Sequence, residues 1–203
     1  MRTVSLAYKN IESPVGKLKL VATGRGLVAI LWDRDNTRRV RLSDLVRNDE
    51  HPVLLETERQ LGDYFAGKRK KVSIALDMRG TNFQRNVWQA LLAIPFGETR
   101  SYGQLARQLG NPRATRAVGA ANGRNPISII VPCHRVIGST GKLTGFAGGL
   151  QAKSYLLRLE GGDPGDRNST MGSAAVARQA GISDPIISAD VIASTARVLD
   201  ESD

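Results

Sequence analysis

Cysteine is almost absent from this chain: its 203 residues include one, Cys133, together with two histidines. A single thiol has no internal partner, which excludes a disulfide, and one thiol with two imidazoles is too few soft ligands for a closed tetrahedral zinc site. Long apolar runs are missing as well, and none could cross a bilayer. The opening Met1-Arg2-Thr3-Val4-Ser5-Leu6 lacks the basic stretch and apolar core of a secretory signal. We therefore expect a protein of the cytoplasm with no membrane partner. Acidic residues are scarce before Gly162. The formal charge is +10, but the segment after Gly162 carries seven acids against three arginines, so residues 1–162 hold +14 and the tail −4. Such a balance favours a polyanionic partner, because each phosphate neutralised releases a counterion.

Length and a 41% hydrophobic content allow one large or two small soluble domains with a sizeable core. Residues 4–8, 17–22 and 27–32 are short runs rich in Val, Leu and Ile, broken at Pro14-Val15-Gly16 and Gly24-Arg25-Gly26. They read as an antiparallel meander. Leu54 to Phe65 has helical periodicity stopped by Gly67, Lys68-Arg69-Lys70-Lys71 reads as a solvated turn, and Val72, Ile74 and Leu76 alternate like one more strand. From Thr81 the pattern is helical: Phe83, Val87, Trp88, Leu91 and Leu92 form a stripe behind an N-cap at Thr81 or Asn82, ended by Pro95-Phe96-Gly97.

Ser101 to Gly110, a turn at Asn111-Pro112 and a second helix from about Arg113 to Asn122 make a helix-turn-helix pattern. Ala114, Ala117, Gly119, Ala120 and Ala121 keep the second helix slender. That suits either a groove floor, with Arg113, Arg116 and Arg124 supplying charge, or tight core packing. A last helix spans roughly Gln151 to Leu159, with Tyr155, Leu156 and Leu159 on one face and Gly161-Gly162 as its stop. Asp163 to Gly172 reads as linker and Asp184 to Val198 as a weak helical pattern. There are no internal repeats. The expected architecture is thus α/β: a small antiparallel sheet domain (1–78), a mainly helical domain with the helix-turn-helix and the cysteine (79–162), and an acidic tail of unknown role (163–203).

The lone thiol lies at the end of an apolar run, Ile127, Ile129, Ile130 and Val131, that closes in Pro132-Cys133-His134-Arg135. A free cysteine often packs as a small hydrophobe. Here, however, proline should end an extended buried segment and present the thiol at its tip, where His134 and Arg135 can generate or stabilise a thiolate.

The ordered set Phe83 to Trp88, Ser101-Tyr102, Arg116-Ala117-Val118-Gly119, Asn125-Pro126, Pro132-Cys133-His134-Arg135, Gly145-Phe146-Ala147-Gly148-Gly149-Leu150 and Leu159-Glu160-Gly161 resembles the O6-alkylguanine-DNA alkyltransferases. The match is strong over residues 80–162, and the first domain looks like the family's variable one. The resemblance implies a suicide repair protein that takes the alkyl group of O6-alkylguanine onto Cys133 in one turnover, with weaker activity on O4-alkylthymine, after flipping the base from a duplex held by its minor groove. Implied catalytic residues are Cys133, His134 as base through a water, Glu160 orienting it, Asn125 as a hinge and Tyr102 as proton donor. Implied DNA contacts are Arg116 in the vacated stack, Tyr102 against the phosphate, Asn111, Ser139 and Ala117. Phe146, Ala147, Gly148 and Ser139 would line the pocket. No cofactor and no metal are implied, and the partner is double-stranded DNA bound by a monomer, with cooperativity along the DNA left open.

Two departures stand out. Phe146 and Ala147 replace the tyrosine and serine common in the family, removing a hydroxyl that could meet O6 and leaving backbone N–H groups of the glycine loop to do so. The tail exceeds the usual length. Three other readings fit parts of the pattern: a lesion-binding relative without transfer, which would lack the cysteine; a cysteine hydrolase, which would not need the helix-turn-helix; and a transcription regulator, which would be indifferent to Cys133→Ala.

Overall fold

The computed structural model describes residues 5–33, 35–36 and 39–161, all within one compact unit. The linker and helical pattern expected after Asp163 lie outside these residues.

Alternating burial builds a four-stranded sheet from β1 (Leu6–Ile11), β2 (Leu18–Thr23), β3 (Gly26–Trp32) and β4 (Leu45–Arg47), in the order β3-β2-β1-β4. The first three form the expected antiparallel meander, with a bulge at Val21/Ala22. Beside it β4 pairs parallel to β1, Leu6 opposite Leu45, so the sheet is mixed. The connection out of β3 has to cross from one sheet edge to the other, and a parallel partner needs such a long crossover. Helix α1 (Pro52–Phe65), started by Pro52, packs Leu54, Leu61 and Tyr64 on the core.

Residues 72–76 are not a strand. Leu76 makes a single bridge to Leu27, and Val72, Ile74 and Leu76 only pack sideways on the core, so their alternation reports burial, not pairing. A second single bridge joins Ile30 to Ile127, and Ile30 N donates to the Pro126 carbonyl at 2.9 Å. Through this bridge the edge of β3 holds the segment that leads to Cys133.

Helix α2 (Asn82–Leu92) opens on a reciprocal capping box between Thr81 and Gln84. The two-residue strand β5 (Arg100–Ser101) leads into α3 (Tyr102–Gln108), which uses the same device with Ser101 and Gln104. A 3-10 turn at Pro112–Ala114 delays the second helix of the pair, α4, to Thr115–Gly123. Val118, Ala121 and Asn122 of α4 face inward, where the Trp88 indole donates to the Ala121 carbonyl at 3.0 Å. Arg116, Ala117 and Ala120 are exposed. The small residues therefore serve both expectations, core packing on one face and an open surface on the other. Strand β6 (Val136–Ile137) pairs with β5, and α5 (Gly149–Leu159) closes the fold with Ala152, Lys153, Leu156 and Leu157 buried.

Candidate active site

The apolar run before the cysteine is buried but not extended. Val131 N donates to the Ile127 carbonyl at 2.9 Å and Ile130 N to the Ser128 carbonyl at 3.0 Å, coiling the segment. Ile129 takes φ +75°, an uncommon conformation for a β-branched residue. Asn125, fully buried, staples this coil: its amide donates to the Val131 carbonyl at 2.8 Å and its oxygen accepts from Ile127 N at 3.0 Å. A strand would have left these groups to a neighbouring strand; the asparagine supplies them internally. Pro132 then starts a 3-10 turn, Cys133–Arg135, with Cys133 at its head.

Cys133 borders a cleft of about 670 Å³ whose wall also includes Tyr102, Asn122, Asn125, Ser128, Phe146 and Ala147. His134, the next residue of the turn, is fully buried and its Nε2 lies 2.9 Å from Glu160 Oε1. Glu160, at the C-terminal cap of α5, also receives Arg135 through two hydrogen bonds (2.7 and 2.9 Å) and the Tyr64 hydroxyl at 2.7 Å. Burial alone would raise this carboxyl, but the hydrogen bonds from His134 and Arg135 outweigh it and hold its pKa at about 2. An ionised Glu160 accepts only, so the Nε2 of His134 carries the proton and Nδ1 is bare. That nitrogen is buried and without a hydrogen-bond partner among the described residues. Burial depresses the imidazole pKa, with Arg135 adding to the effect against the pull of Glu160, so the ring is neutral and able to take a proton.

Arg135, expected beside the thiol, instead turns to Glu160 and to the Ile94 carbonyl at 2.6 Å; the paired acid draws it away. The cations that act on Cys133 are others. Lys153 of α5 is wholly buried, its Nζ donating to the carbonyls of Val136 (2.6 Å) and Thr144 (2.8 Å), and burial lowers its pKa to about 8. Arg39 reaches over the sheet edge to the Asn125 carbonyl, the Asp35 carboxylate and the Ile30 carbonyl. Neither was legible in the sequence, since a helical lysine and an Arg-Arg pair ordinarily read as solvated. Tyr64 was visible only as a core aromatic on α1.

Of the other expected site residues, Tyr102 lies in the cleft wall and shares a 3.0 Å hydrogen bond with Thr144. Phe146 stands edge-on to Trp32, 5.3 Å between centroids, and to His134 at 6.3 Å. Gly148 lies back from the cleft against Trp32, whose ring is 2.5 Å from where a Cβ would sit, so only glycine fits there. Ser139, Asn111, Arg116 and Ala117 are exposed, and Ser139 does not border the cleft. Among the described residues no group of three or more His, Cys, Asp or Glu is gathered to hold a metal ion, and no helix is long and apolar enough to cross a membrane.

Residues 82–162 match the family model of the 6-O-methylguanine DNA methyltransferase DNA binding domain, and residues 6–78 that of its ribonuclease-like domain. The methylated-DNA--protein-cysteine methyltransferase of Methanosarcina acetivorans is 49% identical over 154 residues, covering 76% of this chain and 97% of the relative. The chain belongs to this methyltransferase family. The enzyme of the same name from Mycobacterium tuberculosis is 49% identical over 153 residues, which cover 75% of this chain and 91% of that one. In structure, the crystal structure of Mycobacterium tuberculosis OGT in complex with DNA superposes with a TM-score of 0.70 at 48% identity, over 76% of this chain and 92% of that one. Within the family match, Cys133, His134 and Glu160 fall in the DNA binding domain. Tyr64, which holds the acid of that set, comes from the ribonuclease-like one.

This cross-domain bond has a measurable consequence. Tyr64→Phe removes a hydroxyl hydrogen-bonded to a buried carboxylate, costing about 1–3 kcal/mol. The expected result is a melting temperature lower by roughly 3–10 °C and a transfer rate reduced only a few-fold, because His134 and Arg135 still hold Glu160.

Proposed function

We propose that this protein repairs DNA by moving the alkyl group of O6-alkylguanine, and more weakly of O4-alkylthymine, irreversibly onto Cys133. The observation that carries the reading is a lone thiol in the wall of a cleft, backed by a neutral imidazole that an ionised carboxylate locks in the proton-accepting tautomer. His134 Nδ1 takes the thiol proton, through a water. The thiolate then attacks the alkyl carbon in line, the S–C bond forms as the C–O6 bond breaks, and the electron pair returns to the guanine, which takes a proton from the Tyr102 hydroxyl. Backbone N–H groups of the 145–149 loop meet O6 where Phe146 and Ala147 offer no hydroxyl. No cofactor is required, since the lesion is both substrate and electrophile.

A stacked base hides O6, so the nucleotide has to leave the duplex. In this reading the open face of α4 enters the minor groove, where Ala117 allows close approach and Arg116 fills the gap. Tyr102 crowds the target phosphate, and Asn111 and Ser139 touch the backbone. The excess of positive charge before Gly162 and the solved complex of the Mycobacterium tuberculosis relative with DNA support a duplex as partner. We take the protein to act as a monomer in the cytoplasm, with the domain limits 1–78 and 79–162.

Intact-mass spectrometry after incubation with a duplex carrying one O6-methylguanine tests this. The expected outcome is one added methyl per wild-type chain, none on Cys133→Ala, and recovery of guanine in the DNA. An unmodified wild-type protein that still binds the lesion tightly would instead make it a recognition protein.

A further inference from the structure

Cys133 has a neighbour that the reaction as written does not use. Ser128 is fully buried and borders the same cleft as the thiol, and its Oγ has no hydrogen-bond partner among the described residues. A buried hydroxyl left unpaired is costly and calls for a role. It is also rigidly placed: the coil from Ile127 to Val131, stapled by Asn125 and turned by the left-handed Ile129, fixes its backbone. Among the described residues, the other buried side-chain polar atom of the cleft wall without a partner is the Asn122 oxygen, an acceptor, which cannot stabilise an anion. Ser128 has a proton to give.

We propose that Ser128 is a positioning residue for the nucleophile: its hydroxyl donates a hydrogen bond to the Cys133 sulfur once the thiol proton has left, and so sets the fraction of thiolate available for transfer. The proposal rests on the reading of Cys133 as the alkyl acceptor. Burial pushes this thiol up, while the nearby polar groups of Asn125 and Ser128, then the charges of Lys153 and Arg39, pull it back. Lys153 comes from α5 and Arg39, paired with Asp35, from the connection after β3. His134 and Arg135, both bound to Glu160, follow Cys133 in the same turn, and Tyr102 lies in the wall of the same cleft; all of these are unchanged when Ser128 alone is replaced.

Because Cys133 is the only cysteine, iodoacetamide reports its titration without ambiguity in the full chain and without DNA. Compared with wild type, Ser128→Ala is expected to move the pH midpoint of alkylation up by about one unit, a roughly tenfold loss of reactivity at neutral pH. Ser128→Thr, which keeps the hydroxyl, restores the midpoint. Methyl transfer from an O6-methylguanine duplex is expected to slow by the same factor at neutral pH and to recover at high pH. An unchanged midpoint in Ser128→Ala overturns the proposal, and it does so also if transfer is slower, since the hydroxyl would then serve the base. A shifted midpoint in a protein that never transfers a methyl supports the hydrogen bond and refutes the repair reading, so the two fail separately.

Discussion

Glu160→Gln is expected to lose about 3–5 kcal/mol of stability and to slow methyl transfer by roughly 100- to 10,000-fold. The size follows from what the carboxylate touches. Arg135 is buried and delivers two hydrogen bonds to it; an uncharged amide leaves that guanidinium without a counter-ion, the circumstance in which breaking a buried pair is most costly. The catalytic loss has a different origin. Gln offers an NH2 where Glu160 offered only acceptors, and that NH2 can donate to His134 Nε2. The imidazole proton then moves to Nδ1, the nitrogen that has to be bare to receive the thiol proton. Thermal melting separates the first effect, single-turnover transfer at a temperature where both proteins are folded the second. The pH dependence adds a third signature. The folded pKa of Glu160 is about 2 against 4.5 for the free group, so its stabilisation is complete above about 4.5 and disappears as pH falls toward 2. The shift corresponds to about 3 kcal/mol. Glu160→Gln lacks this acid limb.

The helices were legible in the sequence wherever local chemistry decides them. Thr81, one of the two N-caps expected, does cap α2, and Ser101 caps α3 in the same way, though it was not singled out as a cap in the sequence. The strands of the meander were legible through alternation and glycine breaks. Where tertiary neighbours decide, the reading failed in a consistent way. Val72, Ile74 and Leu76 alternate because one side is packed, yet no strand is available to pair with them beyond Leu27. Ile127 to Val131 looks like a buried strand because nothing in an apolar run tells of a side-chain amide satisfying its backbone. The same holds at the site. Cys133, His134 and Glu160 were legible as a motif, whereas Tyr64, Arg39 and Lys153 reach it from residues whose types ordinarily mark core or surface, and only the folded chain brings them there.

Asn125→Ala is expected to show how much of the reactivity depends on that internal scaffold. The substitution leaves the Val131 carbonyl and the Ile127 N–H buried without partners, each at about 1–3 kcal/mol. It also removes the clamp that holds Ile129 at φ +75°, a conformation that stores of the order of 1–3 kcal/mol and persists only when its surroundings enforce it. Both costs push the variant the same way: unpaired groups destabilise the native coil, and relaxation of Ile129 rewards leaving it. The coil therefore opens locally, while β1–β3 and the helices, held by other contacts, remain. Cys133 and Ser128 are both carried on this coil, so their separation and their distance from His134 change together. A displacement of about 1 Å is enough for a loss near 100-fold in an in-line displacement. The measurement is iodoacetamide alkylation of Cys133 beside methyl transfer in the same variant. Opening of the coil exposes the thiol, so alkylation is expected to rise or hold while transfer falls by 100-fold or more. A parallel fall of both would mean that losing the direct pull of Asn125 on the thiol pKa outweighs the exposure that opening brings.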